Sequence, residues 1–199
     1  SPEIAATALS SPTPRPLRAA VEAGKAAALL SIEGAELLPD RPDALDYVYD
    51  AGVRLITLTW NYRSRYGCSS AVDQNEGLTE LGKQLVRDCG EKGIIVDVSH
   101  LSDRGFRDVC EATDRPFVAT HSDSRVLCRN SRNLTDEQFA EIANRRGLVG
   151  VNLYTPFLVR QSDSVIDDAI DHIEREIQQK FGIETTAHMD PIATDDESV

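Results

Sequence analysis

The chain has 199 residues, of which 41% are hydrophobic and 27% charged, with a formal net charge of −12 at pH 7. That size fits one domain, or one domain with a small appendage, and the composition allows a sizeable core. So acidic a chain argues against nucleic acid or an anionic membrane as partner, because both require a basic face. No run approaches the length of a membrane span, and the first residues lack the charged-then-apolar pattern of a signal, so cytoplasmic residence is the default expectation. The four cysteines (Cys68, Cys89, Cys110 and Cys128) form no CxxC pair. Cys89 and Cys110 fall on the apolar faces of predicted helices and read as free, buried thiols.

In chain order, the Pro-rich SSPTPRP (residues 10–16) starts a helix that runs to about Ala23 and ends at Gly24. Ala26–Ile32 reads as a buried strand finishing on Glu33-Gly34. Pro42–Asp50 is a short helix closed by Gly52, and Val53–Thr59 is the next strand. The polar stretch WNYRSRYGCSSAVDQNEG is too long for a plain connection and is expected to cover or line a site. Leu78–Lys92 has Leu78, Leu81, Leu85 and Cys89 at helical spacing and stops at Gly93.

Two apolar runs follow, Ile94–Val98 and Pro116–Thr120, each ending on a histidine: His100 in DVSH and His121 in THSDS. Between them Ser102–Thr113 opens on a capping serine and places Phe106, Val109 and Cys110 on one face. Strand, helix, strand over about 25 residues predicts a βαβ unit with parallel, neighbouring strands. The two histidines then share one end of the sheet, where α/β folds place ligands, as a metal site or an acid–base pair. A helix from Leu134 to about Arg145 and a fifth strand, Leu148–Leu153, complete the alternation. The spacing predicts a parallel α/β domain.

No GxGxxG or GxxxxGK[ST] follows a strand, so nucleotide-binding versions lose support. Functional-looking residues gather at strand ends instead: Glu33, Trp60-Asn61, His100, His121, Asn152 and Tyr154. That distribution is how a (β/α)₈ barrel builds its rim, although a closed barrel usually needs about 250 residues. Glu33, His100 and His121 make a ligand set suited to Zn²⁺, Mn²⁺ or Fe²⁺. The competing reading makes Glu33 an exposed turn residue and the histidines hydrogen-bonded strand caps. Beyond Tyr154, Asp163–Phe181 predicts a long charged helix with Ile166, Ile170, Ile173 and Ile177 aligned, followed by a short strand and an acidic tail.

The blocks IEGAELL, RLITLTWNY, GLTELGKQLVRDCGEKGIIVDVSHLSD, VATHSDSRVLCRNSRNLTDEQ and GLVGVNLY, in that order, resemble the membrane dipeptidase (renal dipeptidase, peptidase M19) family over about residues 20–160. The resemblance implies a zinc-dependent (β/α)₈ TIM barrel of amidohydrolase type that hydrolyses dipeptides, often tolerating a C-terminal D-residue. It implies that Glu33 is the carboxylate bridging two zinc ions and that His100 and His121 complete the second zinc site. It also implies that Arg132 holds the substrate's carboxylate. Trp60 stands where some members carry a substrate-contacting histidine and reads as an apolar wall or as core, and Tyr154 reads as a wall or hydrogen-bond donor of the substrate site or as packing. The family's His-x-Asp block on the first strand and its GSDFDG-like block on the last have no counterpart here. The barrel is therefore expected to be incomplete, its first and last βα units missing, with one or two zinc ions and an edge that invites self-association.

The expected division is residues 1–160 as a partial metallo-dipeptidase barrel and 161–199 as a C-terminal helix, short strand and acidic tail of uncertain origin. EREIQQKFGIETTAHMDPIATDDE resembles the end of a cation diffusion facilitator cytoplasmic domain, which would make His188 and Asp190 a second metal site. His172 reads as surface. The rival to the enzyme is a catalytically incomplete fragment that serves as a metal-binding or interaction module.

Overall fold

The computed structural model describes residues 19–20, 22–24, 28–158, 175–176, 178–180 and 187–188. The chain divides into two compact units, Ser1–Arg115 and Pro116–Val199. The predicted long helix at 163–181 lies largely outside the described residues; 175–176 and 178–180 are helical.

The first unit is built on a parallel sheet of three strands in the order β1 (Leu30–Glu33), β2 (Val53–Thr57), β3 (Ile95–Asp97). The register pairs Glu33 with Thr57 and Thr57 with Asp97, so the three strands finish level with one another. β2 is buried along its whole length, as a central strand of apolar and β-branched residues should be. Arg54 is tolerated within it because its guanidinium donates to the Tyr49 and Val53 carbonyls and lies 3.7 Å from the Tyr49 ring centroid. The helices α1 (Ala44–Asp50), α2 (Glu80–Lys92) and α3 (Asp103–Ala112) occur where the sequence predicts them. Thr79 caps α2 by accepting from the Gly82 amide, and Ser102 caps α3 by accepting from the Gly105 amide. α2 ends at Gly93 with φ +81°, the left-handed conformation that a glycine adopts without steric cost.

Of the predicted apolar face, Leu78, Leu85 and Cys89 are buried and Leu81 is exposed, while Gly82, Val86 and Gly90 widen the buried stripe of α2. At Gly82 the approach is close: a Cβ there would lie 1.9 Å from the Tyr66 carbonyl oxygen. The 60–77 loop thus packs where a side chain would otherwise project. Buried Asp108 on α3 fastens the same loop, accepting from the Leu78 amide at 2.8 Å and from Arg104 at 2.7 Å.

The second unit corrects two strand expectations. Residues 116–120 form no strand but are bridged at 118 and 119, Ala119 in parallel with Val149. The fifth predicted strand shrinks to β4 (Val151–Asn152), which pairs in parallel with β5 (Ala187–His188). The five runs therefore do not line up as one five-stranded sheet among the described residues: three strands form one sheet and β4–β5 another. An apolar run specifies burial, not the ladder it joins. Phe117 and Phe139 are fully buried here, with the Arg145 guanidinium 5.4 Å from the Phe117 ring centroid. α4 (Asp136–Asn144) begins with a capping box in which Thr135 and Gln138 exchange side-chain and main-chain hydrogen bonds. A short α5 (Thr155–Leu158) follows β4.

Candidate metal centre

In the first unit, Glu33 closes β1 and Gly34 turns the chain away at φ +94°. Its amide donates to the Thr57 carbonyl at 3.1 Å, which holds the turn against β2. His100 comes three residues after β3 and has φ +68°, an uncommon conformation for a residue with a Cβ. Buried Asp97 steadies the approach to it, accepting from the Thr57 hydroxyl at 2.7 Å and from the Ser99 amide at 3.0 Å. The His100 carbonyl accepts from the Ser70 amide at 2.8 Å, so the long polar loop does line this turn.

The ring of His100 is buried and engaged at both nitrogens. Nε2 lies 3.0 Å from Glu33 Oε1, and Nδ1 lies 2.9 Å from Asn61 Oδ1. The Glu33 side chain is about half exposed, at 48%. Two ligands of one tetrahedral zinc stand about 3.3 Å apart, given metal–ligand distances near 2 Å. A carboxylate oxygen and an imidazole nitrogen at 3.0 Å, open to solvent on the carboxylate side, fit that geometry.

In the second unit, His121 is buried and its Nδ1 lies 2.7 Å from the Thr120 hydroxyl. Buried Arg132 donates to the His121 carbonyl at 3.0 Å and to the Ser122 hydroxyl at 2.9 Å. Its guanidinium lies 5.9 Å from the Phe157 ring centroid. Asp123, fully buried, accepts from the Asn152 amide at 3.1 Å through its side chain and from the Leu134 amide at 2.8 Å through its carbonyl. By residue type, Glu33 and His100 in the first unit and His121 in the second are candidate metal ligands.

Trp60 and Tyr154 are both partly exposed. Trp60 meets Tyr62 edge to face at 5.3 Å, and Tyr154 meets Phe157 in the same way at 5.0 Å. His188 lies on β5, while Asp190 and His172 fall outside the described residues. Burial pushes the Cys89 thiol up to about 12, which fits the inert, buried thiol read from its helical spacing. Cys110 is only half-buried. Sequence reasoning passed over Asp97 and Asp123. The signal for Asp97 was available: a carboxylate inside the apolar run IIVDV needs hydrogen-bond partners if that run is a buried strand.

The membrane dipeptidase (peptidase family M19) model matches residues 10–188. An Acinetobacter calcoaceticus protein known only as uncharacterized, from a PQQ-III 3′ region, is 39% identical over 160 residues, covering 75% of this chain and 51% of its own length. A Schizosaccharomyces pombe protein described as an uncharacterized dipeptidase is 31% identical over 156 residues, 75% of this chain and 38% of its own. A Rhodobacter sphaeroides metallo peptidase, solved with a phosphinate mimic of the dipeptide L-Ala-D-Ala, superposes with a TM-score of 0.79 at 30% identity; 88% of this chain and 54% of that one are covered. A dipeptidase crystal structure described as family M19 gives the same TM-score and identity, covering 88% and 56%. The chain thus spans between 38% and 56% of the length of these relatives. The family match also runs well past residue 160, and these findings do not support the resemblance of the C-terminal segment to a cation diffusion facilitator. No described helix is long and apolar enough to cross a membrane. By the extent of that family match, the chain belongs to the membrane dipeptidase family, peptidase M19.

Proposed function

We propose that this chain is part of a zinc-dependent dipeptidase, a (β/α)₈ barrel of amidohydrolase type that is incomplete here, acting on dipeptides with a D-residue accepted at the C-terminal position. The observation that carries the reading is the family match over residues 10–188. The relative solved with a mimic of L-Ala-D-Ala supports the substrate class.

Glu33, His100 and His121 are the residues to hold the ion, and their donor set, one carboxylate oxygen and two imidazole nitrogens, is the kind zinc takes in hydrolytic sites. When bound, zinc supplies Lewis acidity and water activation near neutral pH. The chain's own residues supply the rest. Asp97 and Ser70 fix the turn that presents His100. Arg132 braces the main chain at His121 and Ser122, and its planar guanidinium suits recognition of the substrate's terminal carboxylate. Trp60 and Tyr154 offer apolar walls with partial exposure.

Zinc analysis paired with hydrolysis of L-Ala-D-Ala tests the reading. One or two zinc ions per chain, with turnover abolished by chelator and restored by zinc, is the expected result. A chain that binds zinc without turnover supports a second reading, a metal-binding or interaction module.

A further inference from the structure

We propose that Asn61 is a positioning residue for the metal site: its side-chain oxygen holds His100 with the proton on Nδ1, so that Nε2 is the nitrogen offered beside Glu33. The inference rests on the zinc reading above. The strand register brings the two residues abreast. Thr57 pairs with Asp97, and the Leu58 amide continues the ladder by donating to the Asp97 carbonyl at 3.2 Å. Asn61 lies four residues beyond Thr57 and His100 three beyond Asp97. Their side chains meet at 2.9 Å, Asn61 Oδ1 to His100 Nδ1. Trp60, its neighbour in sequence, meets Tyr62 edge to face.

The need for such a partner follows from the other side of the ring. Nε2 stands 3.0 Å from Glu33 Oε1, and a carboxylate accepts only. A metal taken by Nε2 requires that nitrogen bare, which leaves the ring's proton on Nδ1, and the Asn61 amide oxygen, which can only accept, is placed to receive it. The left-handed backbone at His100, φ +68°, sets the ring's starting direction through an unusual turn, so the ring gains from a second anchor. Partners of this kind commonly change metal affinity by about 10–100-fold when removed. A neutral amide fulfils the role without adding a further negative charge beside Glu33.

The test uses Asn61→Ala and Asn61→Asp. Asn61 is exposed, so both variants should melt within a few degrees of the parent. Zinc affinity is measured by competition with a chromophoric chelator. Proton–nitrogen NMR of the His100 ring in the zinc-loaded protein reports whether Nδ1 carries a hydrogen-bonded proton. The expected result is zinc binding weakened at least 10-fold by Asn61→Ala and restored by Asn61→Asp, with the Nδ1 proton visible in the parent and the aspartate variant and lost to fast exchange in the alanine variant. Zinc affinity within twofold of the parent in Asn61→Ala overturns the proposal, whatever the ring signals do. A parent protein that binds no zinc overturns the metal reading, and this proposal with it.

Discussion

His100 and His121 do one proposed job on different supports. His100 follows a three-stranded parallel sheet and is gripped through both ring nitrogens by Glu33 and Asn61. His121 follows a short bridged stretch rather than a full strand, and its surroundings grip the main chain: Arg132 holds its carbonyl and Asp123 ties the next turn to Asn152. At the His121 ring, the Thr120 hydroxyl can donate or accept, so it leaves the tautomer open where Asn61 does not. A sheet positions a ligand by register and then needs only fine orientation. A loop must first be made rigid, and here buried polar side chains do that.

Substitutions that strike one device and spare the other break the comparison most sharply. Asp97→Ala removes the acceptor for the Thr57 hydroxyl and the Ser99 amide, both at buried positions. Leaving those donors unsatisfied should cost about 3 kcal/mol, measured by urea unfolding, and should weaken zinc binding through His100. Arg132→Lys keeps the charge but loses the fork that reaches both the His121 carbonyl and Ser122. About 1–2 kcal/mol of stability should go with it, and hydrogen exchange should accelerate at residues 121–124 while β1–β3 stay protected. Thr135→Ala opens the capping box of α4 and should cost about 1 kcal/mol, read as a lowered urea midpoint at unchanged m-value.

The smallest effect concerns pH. Burial raises the Cys89 thiol from 9.0 to about 12, so the folded state resists an ionisation that the unfolded chain undergoes. The stability this contributes is complete below about pH 9 and is lost as pH climbs toward 12. Cys89→Ala should flatten that part of the stability–pH curve. Iodoacetamide at pH 8 should label Cys89 only after denaturation.

What the sequence made legible was local. The cap at Ser102 and the stop at Gly93 follow from chemistry within one turn of chain, and each occurs as read. The histidines at 100 and 121 were visible because each closes an apolar run. Ladder membership was not: Pro116–Thr120 looks like Ile94–Val98 in composition, yet only the latter contains a strand, β3. Nor was the contact of Asn61 with His100, which depends on the β2–β3 register rather than on any spacing. Gly82 shows the same limit, since helical periodicity cannot foresee a loop carbonyl seated against it.

The most direct measurement is zinc affinity for the parent chain and for Glu33→Gln, His100→Ala and His121→Ala, each confirmed folded by circular dichroism. The account predicts that every one of the three lowers affinity at least 10-fold, because a set of three ligands has none to spare. Parent-like affinity in His121→Ala would contradict it, by showing that the ion, if bound at all, is held without the second histidine.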